Sequence, residues 1–390
     1  MATHELLTRA VEKVVPEKLA EDKIQSGKPL RLYLGIDPTG AKLHIGHSVP
    51  LRKLKAFQDA GHEVIFLIGS FTATIGDPSG RNQLREPLTL EQVEKNFQTY
   101  KKQAEKILDF SKVKIVYNHE WLGKLKFDEI VKIASNFTVQ QMMVREMFQR
   151  RIKEDNPIAL HEFLYPLMQG YDSVILDVDF EVGGNDQLFN MLCGRTLQQA
   201  FGKREKFVLT TRLIEGTDGR KMSKTYNNCV YIEDEPNDMY GKIMSVKDEL
   251  ILTYMECCTG IPMEEIAAAK KEMEKGANPK DHKARLAREI VTLYHGAAAA
   301  QKAEAEFSKV FKDKGIPDDV PELKVKKGTP LIDVLVQGKL APSKSEARRL
   351  IEQGGVSIDG KVVSSVEAKS EAGLVKVGKR KFLMIHYEKN

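Results

Sequence analysis

The pattern that most restricts the fold lies in residues 31 to 69. RLYLGI (31–36) and EVIFLIG (63–69) are short apolar runs of buried-strand length, and HIGHSVPLRKLKAFQDAG between them carries helical periodicity. Gly61 stands where a helix closes with a C′ glycine. Strand, turn, helix, strand is a βαβ unit. Such units build an open parallel sheet and gather ligands at the carboxyl ends of its strands. Further strands are expected at KVKIVYN (112–118), DVDFEVGG (177–184) and KFVLTTRLI (206–214). Helices are expected at about 90–109, 128–150 and 158–173, making the stretch from about 78 to 175 partly an insertion in the sheet.

From about 230 to 310 the pattern turns helical, most clearly in NPKDHKARLAREIVTLYHG and AAAAQKAEAEFSKVF. KDKGIPDDVPELKVKKGTP (312–330), with its prolines, glycines and clustered charge, reads as a linker. The final block predicts two short helices, a strand and a turn at Asp359-Gly360. Charge separates this block from the rest. Residues 324–390 hold 14 Lys and Arg against 7 Asp and Glu, so a chain of net charge +5 is slightly acidic before them. A small basic module on a near-neutral body of enzyme size suits a polyanion, most simply nucleic acid; a solvated basic surface is the plainer alternative. The expected domains are 1–228, 229–322 and 323–390, within the two or three that 390 residues allow.

No apolar run reaches 18 residues, and the N-terminus mixes both charge signs without an apolar core, so neither a membrane span nor a signal peptide is expected. Cys193, Cys229, Cys257 and Cys258 include no CxxC spacing, which fits a reducing, cytoplasmic setting better than a disulfide framework.

His44 and His47 stand three apart at the start of the first crossover helix. Zinc needs three or four ligands, and no neighbouring Cys, Asp or Glu completes a set, so no metal site is expected. Two histidines can also simply cap a surface helix. An anion fits the position better: unpaired N–H groups and the helix dipole favour negative charge there, Gly46 permits close approach to the backbone, and Thr39 adds a hydroxyl. No GxxxxGK[ST] occurs, so this is a second way of holding a triphosphate. Far along the chain EGTDGRKMSKTYNN offers Lys221 and Lys224 in a loop able to close over phosphates and neutralise a departing pyrophosphate. Alone that loop would be a solvated basic turn; with the histidines it becomes a partner site.

A third constellation lies in HEFLYPLMQGYDSVIL, where Tyr165, Gln169 and Asp172 share one helical face. Leu164, Leu167, Met168, Tyr171 and Ile175 are expected to supply its apolar surroundings. Such a stripe is either a satisfied core network or a binding pocket. A carboxylate buried there must be paired or hydrogen-bonded, and a substrate hydroxyl is a suitable donor.

His44-Ile45-Gly46-His47 and Lys221-Met222-Ser223-Lys224, with Thr225 in place of a final serine, resemble the HIGH and KMSKS signatures of class I aminoacyl-tRNA synthetases. YLGIDPTGAKLHIGH, GDPSGR (76–81), the YxxxQxxD face and GGNDQ (183–187) resemble the tyrosyl-tRNA synthetases, most of all their bacterial branch. SKSEARRLIEQGGVSIDGK is similar to an RNA-binding module shared with a small-subunit ribosomal protein.

The resemblance covers essentially the whole chain. It implies a Rossmann-like parallel-sheet catalytic domain with a helical insertion, an α-helical domain that meets the anticodon region, and a small α+β RNA-binding module. It implies that Asp172, with Tyr33, takes the tyrosine phenol, and that Tyr165, Gln169 and Asp77 hold the α-ammonium, with Asp37 lining the same pocket. Gly184 and Asp186 would contact the adenylate ribose and Gln187 the reacting carboxylate. Gly35, Gly46, Met222 and Ser223 would border ATP. Thr39, His44, His47, Lys221, Lys224 and Thr225 would meet its phosphates. Lys344, Arg348 and Arg349 would contact tRNA(Tyr); 344 and 348 fall one helical turn apart. ATP enters as a substrate with Mg²⁺ and no tightly bound cofactor is expected. A homodimer through the helices at about 128–165 is implied as well. Leu34, Pro50 and Asn185 depart from better-known members near the ribose and helix start, which bears on nucleotide affinity rather than on the reaction. Three rivals remain: a tryptophanyl-tRNA synthetase, a HIGH-containing nucleotidyltransferase, and a non-catalytic RNA-binding paralogue, which should have lost part of one signature.

Overall fold

The structure, a computed structural model, describes residues 3–38, 42–78, 88–223, 226–312, 320–378 and 381–388. It divides into two compact units, Met1–Asp234 with Ser245–Tyr294, and Glu235–Met244 with His295–Asn390. This division runs through the helical block expected at 229–322.

The first unit is built on a six-stranded sheet of β1 (Val11–Val15), β2 (Arg31–Ile36), β3 (Glu63–Ile68), β4 (Val113–Tyr117), β5 (Phe180–Gly184) and β6 (Phe207–Thr211), in the order β1-β6-β5-β2-β3-β4. Strands β2 to β6 pair in parallel and only β1 runs against its neighbour β6. The five parallel strands fall where the apolar runs predict them. The edge strand β1 was not expected, because VEKVV mixes charge into a short segment with no buried residue. From β2 the chain builds outward to β3 and β4, then returns to the other side with β5 and β6. The reversal between β2 and β5 opens a crevice at their carboxyl ends, where doubly wound sheets bind ligands.

Helix Ile45–Asp59 crosses from β2 to β3 and ends at Gly61, whose φ of +85° is open to glycine without strain. It docks through Phe57, whose ring lies 4.7 Å from that of Phe180, which stacks on Phe207 at 4.5 Å. Between β3 and β5 come helix Leu90–Ala104, then a series ending in His161–Leu176. The single helix expected at 128–150 is three short ones, Phe127–Ala134, Val139–Met143 and Glu146–Lys153. Thr138 stops any continuation by accepting from the Gln141 N–H at 3.2 Å, which caps a new helix. Helices Ile251–Cys258, Met263–Glu274 and Pro279–His295 follow the sheet in sequence.

In the second unit, helix Pro236–Met244 packs on Ala297–Lys312, with Tyr240 and Phe307 rings 5.4 Å apart. A five-stranded sheet holds β7 (Glu322–Val325), β8 (Val356–Ile358), β9 (Lys361–Val362), β10 (Gly373–Val377) and β11 (Lys381–Tyr387), in the order β7-β11-β10-β8-β9. β7 lies inside the stretch expected to be linker; it is short and gains its order by pairing in parallel with β11. Helices Leu331–Gln337 and Lys344–Glu352 contribute Val334, Leu335, Ala347 and Ile351 to a core shared with Val356, Val375, Leu383 and Ile385. Asp359 and Gly360, both at positive φ, turn β8 into β9 as expected. Among the described residues no helix is long and apolar enough to cross a membrane, and all four cysteines are buried and outside any disulfide.

Candidate active site

A cavity of about 330 Å³ lies at the carboxyl ends of β2 and β5. Its lining includes eleven of the expected residues: Tyr33, Gly35, Asp37, His47, Asp77, Tyr165, Gln169, Asp172, Asp186, Gln187 and Lys221. His44, Gly46, Gly184, Met222 and Ser223 adjoin these in sequence without lining the cavity. Thr39, Lys224 and Thr225 lie outside the described residues. Lys344, Arg348 and Arg349 belong to the second unit, where Lys344 pairs with Asp333 at 2.8 Å, Arg349 pairs with Glu346 at 2.6 Å, and all three are exposed.

At one end the cavity is a closed polar network. Asp172 is buried, its Oδ1 accepting from Trp121 Nε1 at 2.8 Å and its Oδ2 from Asn118 Nδ2 at 3.2 Å. Burial holds the Asp172 carboxyl well above the usual carboxylate range, and the Trp121 and Asn118 donors pull against that shift. Tyr33, also buried, has its hydroxyl 2.9 Å from Ser173 Oγ, and Lys206 Nζ donates to the same Oγ at 2.6 Å. Lys206 also donates to Glu181 Oε2 at 2.5 Å, and Glu181 Oε1 accepts from Gln169 Nε2 at 2.9 Å. Tyr165 donates to Asp37 Oδ2 at 2.7 Å while Thr72 donates to Oδ1 at 2.8 Å. A Cβ on Gly69 would lie 1.9 Å from Asp37 Oδ1, so that carboxylate needs glycine beside it. Burial raises the hydroxyl pKa of both Tyr33 and Tyr165 well above the usual phenol value, so both remain neutral donors.

The apolar residues of helix His161–Leu176 do not surround this network as expected. Leu164, Leu167, Met168 and Tyr171 line a separate apolar cavity of about 190 Å³ with Phe71 and Ile133, and Ile175 is exposed. At 100° per residue they centre roughly 110° round the helix from the polar stripe, on an adjoining face. The polar surroundings come instead from Thr72, Asn118, Trp121, Glu181 and Lys206, none of which sequence reasoning singled out. Two signals were available: Trp121 is the one tryptophan in the chain, and Glu181 interrupts an otherwise apolar strand.

The other end is more open. The His44 N–H donates to His47 Nδ1 at 3.2 Å, which puts the neutral ring's proton on Nε2 and leaves that nitrogen a donor. A Cβ on Gly46 would come within 2.9 Å of His44 Nδ1 and 3.5 Å of Met222 Sδ, so the KMSK segment rests against the start of the histidine helix. Backbone bonds from Ile45 N to Val230 O and from Ile232 N to Leu43 O, both 2.9 Å, tie the histidine turn to the segment that follows the KMSK loop. Asn228 shapes the loop between them. Its amide donates to Asp218 Oδ1 at 2.7 Å and to the Lys221 carbonyl at 3.1 Å, and its Oδ1 accepts from Ser223 N at 2.9 Å. The Asn228 amide first, and then the Arg220 backbone N–H and guanidinium, hold the Asp218 carboxyl down at about 2. At the junction of the two ends Gln187 Nε2 donates to Asp77 Oδ2 at 2.8 Å, and burial raises the Asp186 carboxyl above its usual value.

A parallel sheet with both signatures meeting at its switch point is the architecture of a class I synthetase. The chain belongs to the class I tRNA synthetases (W and Y), whose family model matches residues 25–312. Residues 313–385 match the tyrosine–tRNA ligase SYY-like C-terminal domain. The chain is 48% identical to the tyrosine–tRNA ligase of Carboxydothermus hydrogenoformans, covering 99% of this chain and 98% of that one. It is 50% identical to the tyrosine–tRNA ligase of Burkholderia lata, over 96% and 91%. Among solved structures, a C-terminally truncated mitochondrial tyrosyl-tRNA synthetase of Coccidioides posadasii matches with a TM-score of 0.63 at 26% identity, over 78% of this chain and 90% of that one.

Proposed function

We infer that the chain is a tyrosine–tRNA ligase that joins tyrosine to ATP as tyrosyl-adenylate and then transfers the tyrosyl group to the 3′ end of its tRNA. The observation that carries this reading is one cavity with Tyr33 and Asp172 at its closed end and His47 and Lys221 at its open end. Asp172 accepts the phenol proton, with Tyr33 beside it. Tyr165, Gln169 and Asp77 hold the α-ammonium, in a pocket that Asp37 helps to form. Gly184 and Asp186 meet the ribose, Gln187 meets the carboxylate, and Gly35, Gly46, Met222 and Ser223 border the nucleotide.

In the first step a tyrosine carboxylate oxygen attacks the α-phosphorus of ATP, and the bond to the bridging oxygen of pyrophosphate breaks. The nucleophile is already ionised, so no general base is required. Rate comes from alignment and from donors that tighten on the pentacovalent phosphorus: His44, His47 and Thr39 at the helix start, with Lys221, Lys224 and Thr225 over the pyrophosphate. ATP enters as its Mg²⁺ complex. In the second step a ribose hydroxyl of the tRNA terminus attacks the adenylate carbonyl and AMP leaves. Phenylalanine is rejected because without a phenol Asp172 loses a donor in a buried site. Tyrosyl-tRNA synthetases are themselves the reference case for this effect, at roughly 10⁵, a figure that belongs to the family and not to this geometry.

The helical block 229–322 meets the anticodon region, and Lys344, Arg348 and Arg349 contact tRNA phosphates. A homodimer is supported by apolar side chains exposed in and beside the inserted helices, with Phe127 at 81% and Leu160 at 79%. The setting is the cytoplasm. The test is pyrophosphate exchange into ATP with tyrosine, phenylalanine or tryptophan and no tRNA. Exchange with tyrosine alone is expected; exchange with tryptophan, or with none of the three in folded protein, overturns the assignment.

A further inference from the structure

Lys206 lies beneath the amino-acid pocket, fully buried, in a strand-entry position that reads as core. Its ammonium can only donate, so Ser173 Oγ accepts from it at 2.6 Å. Among the described residues the Ser173 hydroxyl has one further partner, the Tyr33 oxygen at 2.9 Å. Were Tyr33 to donate to Ser173, the serine proton would be buried without an acceptor, which is the more expensive arrangement. Ser173 therefore donates to Tyr33, and the Tyr33 proton is left to Glu181 or to a ligand in the pocket.

Glu181 is the group that competes for that proton, and after burial its charge and hydrogen bond help to raise the Tyr33 hydroxyl pKa. Lys206 counters that pull by donating to Oε2 at 2.5 Å, and Gln169 donates to Oε1 at 2.9 Å. The same bond fixes Gln169 with its nitrogen on Glu181 and its Oε1 turned to Asn190 Nδ2 at 3.0 Å. The space is reserved for these atoms: a Cβ on Gly194 would fall 2.4 Å from Ser173 Oγ and 2.5 Å from Lys206 Nζ.

We propose that Lys206 is a positioning residue for substrate specificity, setting the direction of a hydrogen-bond chain that runs from Lys206 through Ser173 and Tyr33 to the substrate phenol and on to Asp172. The proposal rests on the tyrosine-pocket reading above. In this chain the phenol oxygen accepts from Tyr33 while its proton goes to Asp172, so both of its hydrogen-bonding functions are read. Lys206 touches no reacting atom.

The experiment is pyrophosphate exchange with tyrosine and with phenylalanine for the paired variant Lys206→Met with Glu181→Gln, which removes both buried charges together and leaves an acceptor for Gln169. The expected result is a roughly 10- to 100-fold fall in the tyrosine-to-phenylalanine ratio of kcat/KM, the range of one hydrogen bond to a charged group. The fall should reside in the KM for tyrosine, with any change in phenylalanine exchange much the smaller of the two. A merely structural lysine would depress both substrates alike, and that result overturns the proposal. Asp172→Asn is measured alongside. If it destroys the ratio while the paired variant keeps it, the pocket stands and the role of Lys206 is lost. If Asp172→Asn keeps the ratio, the pocket reading fails and the proposal with it. Should the paired variant not fold, Tyr33→Phe removes the hydroxyl through which Lys206 must act, with both charges in place, and must lower the ratio in the same way; an unchanged ratio again overturns the proposal.

Discussion

The two ends of the proposed catalytic cavity are built on opposite terms. At the amino-acid end Tyr33, Asp172, Ser173, Glu181 and Lys206 are all buried, and their bonds run between elements far apart in sequence. At the phosphate end His47 is exposed, and the contacts are backbone pairings and a glycine-rich loop. Recognising one hydroxyl needs fixed, dry partners whose loss leaves something unsatisfied. Stabilising charge on a leaving pyrophosphate needs donors that tighten only as charge develops. One end is therefore finished before the substrate arrives, and the other is completed by it.

The largest expected effect breaks the closed end. Asp172→Asn should lower the tyrosine-to-phenylalanine ratio of kcat/KM by roughly 10²- to 10⁴-fold, read by pyrophosphate exchange. His47→Ala breaks the open end instead. It should reduce kcat by roughly 10²- to 10³-fold while leaving tyrosine affinity in place, so equilibrium binding and single-turnover adenylate formation separate the two. If tyrosine binding also collapses, the two ends are not independent.

Trp121→Phe sharpens the contrast by removing one donor from Asp172 while retaining an aromatic ring. Loss of a bond to a charged acceptor is worth about 1.5–3 kcal/mol, so tyrosine KM should rise roughly 10-fold or more with kcat preserved. Unchanged KM would mean that Trp121 is only packing.

The smallest effect lies behind the phosphate end, where Lys53 of the histidine helix donates to the Leu6 carbonyl at 3.0 Å. Burial first, and Arg9 second, bring its pKa from 10.5 down to about 8. Between pH 8 and 10.5 the unfolded chain keeps a proton that the folded chain has lost, so this group makes stability rise across that window. Below pH 8 the penalty is constant. Melting temperatures of the parent chain should therefore climb relative to Lys53→Met between pH 8 and 10.5, and parallel curves would refute the assignment.

The open end was legible in the sequence because its chemistry is contiguous. HIGH and KMSK are short runs, and the strand before the histidines announces itself by hydrophobicity. Half of the closed end was legible too, since Tyr165, Gln169 and Asp172 share one helical period. Their partners were not. Asn118 and Trp121 follow β4, Glu181 lies on β5 and Lys206 precedes β6, so only the assembled sheet brings them to one helix. The same limit explains β1 and β7, whose partners β6 and β11 are distant in the chain. The fold of the sheet followed from periodicity, which is local; the composition of the pocket did not, because no window of sequence contains it.

The pairing of β2 with β5 joins residues near 32 to residues near 180, and β1 with β6 joins Val11 to Thr211. Contacts of such span close late, after loop entropy has been overcome by collapse. A chain leaving the ribosome thus carries its histidine helix long before it has an amino-acid pocket, which must wait until Lys206 and the strand behind it have emerged, and the bonds that tie the helix start to Val230 and Ile232 come later still. Tyrosine can bind only a chain that has already closed its sheet, and by binding there it pulls the folding equilibrium toward that closed sheet.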